Sequence, residues 1–125
     1  MIVLDASALL ALLYREAGAE RVAAALDSAM MSTVNLAEVL ARLARDGRDI
    51  GTVMSRLGEL EIDFVPFSTE QAAGAARLLP ITRAFGLSLG DRACLALALE
   101  RRAVALTADR VWAAIGHGAR VELLR

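Results

Sequence analysis

Met1-Ile2-Val3-Leu4-Asp5-Ala6-Ser7 is the stretch on which the reading of this chain turns. Four apolar residues, two of them β-branched, run unbroken into a carboxylate, and Ala8-Leu9-Leu10-Ala11-Leu12-Leu13 then supplies strong helix formers. This predicts a buried strand that ends at Asp5 and turns directly into a helix. In open parallel sheets, ligands bind outside the carboxyl ends of the strands. Asp5 is therefore expected at the edge where a ligand sits.

The rest of the chain alternates in the same way. The first helix is expected to end near Tyr14-Arg15-Glu16, and an alanine-rich helix is expected over 20–29. Met30-Met31-Ser32 reads as a short strand, after which Ser32 or Thr33 caps a helix over 34–46 with the stripe Leu36, Val39, Leu40, Leu43. Gly47 ends it. A further helix carries Ile50, Val53, Met54, Leu57 and Leu60, and residues 62–67 read as a strand that Pro66 confines to an edge or a strand end. Ser68-Thr69-Glu70-Gln71 is a capping box opening a helix expected to stop at Pro80, with a short helical piece to Phe85 and Gly86 as its cap. Ser88 is the cap candidate for the most apolar helix, Ala93 to Leu99, closed by Glu100-Arg101-Arg102. Ala103–Thr107 is a second buried strand, 110–115 a short helix, 116–118 a turn, and Val121–Leu124 the last strand. The pattern predicts one domain over 1–125, an α/β fold with a mostly parallel sheet.

Composition narrows the function classes. Hydrophobic residues make up 57% of the 125, with 26 alanines and 21 leucines, enough for a true core. Charge-free stretches fall far short of the roughly 20 apolar residues of a membrane span, and the N-terminus reads as a core strand rather than a signal peptide. A single cysteine fits a reducing, cytoplasmic setting. All 14 basic residues are arginine. The absence of lysine excludes P-loop phosphate binding and Schiff-base chemistry. A net charge of −1 gives no broad attraction to nucleic acid or membrane.

Four carboxylates carry the chemistry, each beside a plainer reading. Asp5 and Asp109 each follow an apolar strand and precede a helix, where an Asp also serves as a cap; together they put two acids on one sheet edge. Asp91 shares a helical face with Cys94, Leu95 and Ala98, and an acid on an apolar face needs a cation or hydrogen bonds. Glu38 lies away from its helix's apolar stripe, with Arg42 four residues on, the pattern of an exposed ion pair. Should the four meet, repulsion of about 4 kcal/mol per pair at 4 Å calls for extra protons or a divalent cation. An all-oxygen set suits Mg²⁺ or Mn²⁺ rather than zinc, for phosphodiester hydrolysis.

These residues also resemble a known family. Ile2-Val3-Leu4-Asp5-Ala6-Ser7-Ala8, Ser32-Thr33-Val34-Asn35-Leu36-Ala37-Glu38, Leu89-Gly90-Asp91-Arg92-Ala93-Cys94 and Leu106-Thr107-Ala108-Asp109-Arg110, in this order, resemble a PIN-domain ribonuclease of the VapC toxin type. The resemblance spans essentially the whole chain and implies a three-layer α/β/α fold. It implies that Asp5, Glu38, Asp91 and Asp109 hold one or two Mg²⁺ or Mn²⁺ ions, replacing the ion-pair reading of Glu38. Ser7, Asn35 and Thr107 are implied as groups orienting the acids or metal-bound water. It further implies endonuclease action on RNA, a homodimer, and a cognate antitoxin that blocks the site. Arg92 and Arg110, each directly after an acid, are candidates for RNA phosphate contacts, with structural ion pairs as the alternative.

Cys94 and Trp112 are expected in the core, His117 at the surface, and Arg42, Arg45 and Arg48 on a solvated face. Two other functions stay open on the residues. A haloacid-dehalogenase-like phosphatase also places an Asp after its first strand, but wants a second Asp where Ser7 stands. A non-catalytic module would use the acids to grip a partner's arginines.

Overall fold

A computed structural model describes residues 1–125. The opening strand is β1 (Ile2–Leu4), and it is the middle of the sheet. It leads into α1 (Ala6–Leu13), α2 (Ala19–Ala23), β2 (Ala29–Ser32), α3 (Thr33–Arg45), α4 (Ile50–Leu57) and β3 (Asp63–Val65). Then come α5 (Thr69–Thr82), α6 (Leu89–Arg101), β4 (Val104–Thr107) and β5 (Arg120–Leu123). The strand order is β3-β2-β1-β4-β5 and every pairing is parallel.

Alternation along the strands splits the core in two. Val3, Met30 and Ala105 point to one face, where Ala75 and Leu78 of α5, Cys94, Leu95 and Leu97 of α6, and Trp112 complete the cluster. Leu4, Met31 and Leu106 point to the other, against Ala8 and Leu9 of α1, Val22, and Val39 and Leu43 of α3. A sheet covered on both faces needs continuous apolar strands, which is why Ile2-Val3-Leu4 and Val104-Ala105-Leu106 carry no alternating polar residue. The result is the expected three-layer α/β/α fold. No helix is long and apolar enough to cross a membrane.

Several local expectations are corrected. Residues 20–29 do not form one helix: α2 ends at Ala23, a 3₁₀ turn spans Leu26–Ser28, and Ala29 already belongs to β2. Pairing of β2 with β1 on one side and β3 on the other outweighs alanine's helical propensity there. Pro80 does not stop α5, which continues to Thr82. The proline gives up its own backbone hydrogen bond, and the helix runs only two residues beyond it. Thr82 Oγ1 donates to the Leu78 carbonyl at 2.8 Å, and the chain then tightens into a 3₁₀ turn closed by Gly86 at φ 72°. The short helix expected after Asp109 is present, as a 3₁₀ segment over Arg110–Ala114.

His117 is buried rather than at the surface. Its Nδ1 accepts from the Ala119 N–H at 3.1 Å, which leaves Nε2–H to donate to the Trp112 carbonyl at 2.9 Å. The imidazole thus closes the turn between the 3₁₀ segment and β5.

Candidate active site

Because all five strands run the same way, their carboxyl ends share one edge. The sequence order changes direction between β1 and β4, so the crevice expected for ligands lies between the ends of these two strands. Leu4 pairs with Leu106, which sets Asp5 beside Thr107.

Asp5 caps α1, its Oδ1 accepting from the Ala8 N–H at 2.9 Å. The Ser7 hydroxyl donates to the same oxygen at 2.6 Å, and the Thr107 hydroxyl donates to Oδ2 at 2.6 Å. Each hydroxyl also accepts from the loop after β4: Ser7 from the Ala108 N–H at 2.9 Å, Thr107 from the Asp109 N–H at 3.0 Å. Two side-chain hydroxyls therefore lock the ends of β1 and β4 together around one carboxylate. Despite these donors, burial dominates and pushes the Asp5 carboxyl up to about 6, with the charge of Asp91 adding to it.

Asp91 stands in the first turn of α6. Its Oδ2 accepts from the Ser88 N–H at 2.9 Å while Ser88 Oγ accepts from the Asp91 N–H at 3.2 Å, a complete capping box. Glu38 reaches across from α3 to α6. Asn35, buried one turn earlier, donates Nδ2 both to Glu38 Oε2 at 3.2 Å and to the Gly90 carbonyl at 3.0 Å. Partial desolvation raises the Glu38 carboxyl; the Asn35 bond opposes this and the Asp91 charge reinforces it. The charges of Asp5, Asp91 and Glu38 are all felt by the buried Cys94 thiol, which burial first and these acids second push well up. Cys94 is a buried core residue.

Asp109 is exposed at the end of β4 and caps the 3₁₀ segment, Oδ1 accepting from the Val111 N–H at 3.1 Å. The cap reading and the edge reading of Asp5 and Asp109 both hold, because capping engages one oxygen or one lone pair and leaves the charge.

None of the four acids has a salt bridge; the ion pairs of the molecule are Arg21–Glu122, Arg42–Asp46, Arg101–Glu100 and Arg125–Glu16. Arg42, the partner the sequence offered Glu38, pairs with Asp46 at 3.0 Å and stacks on Tyr14. The two neighbouring arginines are engaged elsewhere: Arg92 Nη1 donates to the Ala75 carbonyl at 3.1 Å and Arg110 Nη1 to the Arg125 carbonyl at 2.6 Å. As the side chains lie, no three His, Cys, Asp or Glu groups are close enough to share a metal ion. Like charges repel, and each acid has settled on its own N–H or O–H donors; a cation is what would draw them together. The donor set, all oxygen and uncompensated, fits Mg²⁺ or Mn²⁺.

The sequence missed Gly90. Its Cα faces the Glu38 carboxylate so closely that no side chain fits between them. The surface recesses, including one of about 350 Å³ lined by Leu13, Tyr14, Leu43, Val53 and Leu57, involve none of the four acids.

Compared with protein-family models, residues 2–118 match the PIN domain. The chain belongs to the PIN-domain family. Solved structures similar to this PIN domain include a toxin–antitoxin complex from Klebsiella pneumoniae, 19% identical with a TM-score of 0.76, covering 100% of this chain and 98% of that one. Another is VapC20 of Mycobacterium tuberculosis, a sarcin-ricin loop cleaving toxin, 21% identical with a TM-score of 0.76, covering 91% and 94%. A third is DNA-bound VapBC from Salmonella typhimurium, 18% identical with a TM-score of 0.75, covering 99% and 98%. At such identities the likeness is one of fold. No curated protein sequence matches this PIN domain.

Proposed function

We propose that this PIN domain is a metal-dependent endoribonuclease, the toxin of a toxin–antitoxin pair, that hydrolyses RNA phosphodiester bonds. The observation that carries the reading is that Asp91 lies within electrostatic reach of both Asp5 and Glu38, none of the three in a salt bridge, while Asp5 and Asp109 follow the ends of the paired strands β1 and β4. The toxin relatives among the similar structures support the choice of RNA as substrate and of an antitoxin as partner.

Asp5, Glu38, Asp91 and Asp109 would hold the ion. Bound Mg²⁺ or Mn²⁺ supplies Lewis-acid stabilisation of the phosphoryl oxygens and makes water a usable nucleophile near neutral pH. The chain's own part is orientation. Ser7 and Thr107 fix both Asp5 oxygens, Ser88 fixes Asp91, and Asn35 fixes Glu38. Arg92 and Arg110 each keep further guanidinium N–H groups that can meet phosphate once RNA is bound. An antitoxin that offers a basic side chain to the unpaired acids would block the site. The phosphatase alternative loses ground because Ser7, in the place of its second Asp, is committed to Asp5 and Ala108.

The test is cleavage of RNA by purified protein with Mg²⁺ or Mn²⁺, abolished by EDTA. No cleavage with either metal, together with an Asp5→Asn variant that expresses no better than wild type, would overturn the proposal.

A homodimer is part of the same reading. Leu79, Ile81, Phe85 and Leu89 are exposed in one stretch of chain leading to Asp91, and pairing two copies would cover them. Phe85→Glu is expected to convert a dimer to a monomer by light scattering. A monomeric wild type, or an unchanged dimer in the variant, rules this face out.

A further inference from the structure

We propose that Gly90 is a positioning residue, whose missing side chain leaves the seat in which the Glu38 carboxylate rests beside Asp91. The inference rests on the nuclease reading and names the residue that sets the place of one of its carboxylates.

A Cβ added at Gly90 would lie 1.8 Å from Glu38 Oε1, 2.4 Å from its Cδ and 2.6 Å from Oε2. These are overlaps, and the smallest side chain would have to displace the carboxylate. The backbone conformation does not ask for glycine at this position. Gly90 lies within α6 and has no positive φ, unlike Gly18, Gly47, Gly86 and Gly118. Alanine would be the better helix former there. Gly74, which also faces a neighbouring helix, is different: an added methyl would meet Ala96 at 3.5 Å, an ordinary contact.

The seat has a second wall. Asn35 Nδ2 donates to the Gly90 carbonyl and to Glu38 Oε2, so one buried amide ties α3 to α6 and holds the carboxylate over the glycine. Glu38 itself is exposed and its carboxylate is the far end of a flexible chain. A methyl at Gly90 can therefore be accommodated by swinging Glu38 toward solvent, with the helices undisturbed. The fold would survive and the site would not.

The experiment is Gly90→Ala, alone and combined with Glu38→Ala, measured by RNA cleavage and by melting with EDTA or Mn²⁺. Gly90→Ala is expected to melt at or above the wild-type temperature in EDTA. Its Mn²⁺-induced rise should be at most half that of wild type, and cleavage should fall at least tenfold. Because the glycine acts through Glu38, adding Glu38→Ala should reduce cleavage by less than threefold more, although Glu38→Ala alone is severe. Wild-type cleavage and Mn²⁺ response in Gly90→Ala would overturn the proposal. So would multiplicative losses in the double variant, or a melting temperature lowered by several degrees. A wild type that cleaves no RNA removes the nuclease reading, and the Mn²⁺ response alone then decides on Gly90. A wild type with neither response overturns both.

Discussion

Asp5→Asn is expected to lower Mn²⁺-supported RNA cleavage by on the order of 10²–10³-fold. The estimate follows from several kcal/mol of Lewis-acid stabilisation, at about 1.4 kcal/mol per tenfold in rate. Asp5 is the buried centre of the edge: Ser7, Thr107 and the Ala8 N–H all converge on it, and the loops after β1 and β4 are joined through it. Asparagine keeps the shape and one oxygen but removes the charge that a cation requires. The supporting hydroxyls should give a graded response. Thr107→Val, which strips one O–H donor from Asp5 and one acceptor from the Asp109 N–H, is expected to cost about 10–100-fold, the usual range for a group that orients a metal ligand. The measurement is the initial rate on a labelled RNA at saturating Mn²⁺, with circular dichroism to show that each variant is folded. An Asp5→Asn rate within tenfold of wild type, in a folded protein, would remove Asp5 from the chemistry.

How much of this was legible in the sequence depended on whether a residue's role is set by its own element. Asp5 and Asp109 were placed at one edge because each follows a strand too apolar to be anything but buried, and parallel strands put their ends together. Asp91 was marked by its apolar helical neighbours. Glu38 was not legible from periodicity: what it rests on is Gly90, fifty-two positions away on another helix, and its own helix pattern pointed to Arg42 instead. Only the family resemblance placed it. Gly90 was invisible for a related reason, since its significance is an absent Cβ, and a glycine near a helix start has several plainer explanations. His117 went wrong because flanking glycines suggest an exposed turn, whereas two backbone groups, of Trp112 and Ala119, draw the imidazole inside. The helix expected over 20–29 failed where sheet pairing overruled local propensity, and the stop expected at Pro80 came two residues before the end that α5 reaches at Thr82.

Stability should also turn on Asp5, in a direction opposite to that of most carboxylates. Burial lifts its carboxyl from 3.8 to about 6, so the folded protein holds this proton more tightly than the unfolded chain does. The favourable contribution is therefore complete below about pH 4 and is lost as pH rises through 6. A separation of about two pH units corresponds to about 3 kcal/mol in the metal-free protein at pH 7 and above. Asp5→Asn has no charge to desolvate, so in EDTA at pH 7.5 it is expected to be more stable than wild type by about 1–3 kcal/mol. That is several degrees in melting temperature for a domain of this size. The difference should shrink toward zero or reverse at pH 4, where wild-type Asp5 is protonated. Mn²⁺ should oppose it by binding the folded wild type, which at 100 times its dissociation constant is worth about 2.7 kcal/mol. Melting curves of both proteins from pH 4 to 8, with EDTA and with Mn²⁺, measure all three effects. The sign is what matters: a wild type that gains stability over Asp5→Asn as pH rises in EDTA would mean that the carboxylate is well solvated or already paired. An equal Mn²⁺ shift in both proteins would mean that the ion binds elsewhere. The expected pattern, a site that weakens the empty fold and is repaired by a cation, is the thermodynamic mark of a buried carboxylate kept for a metal.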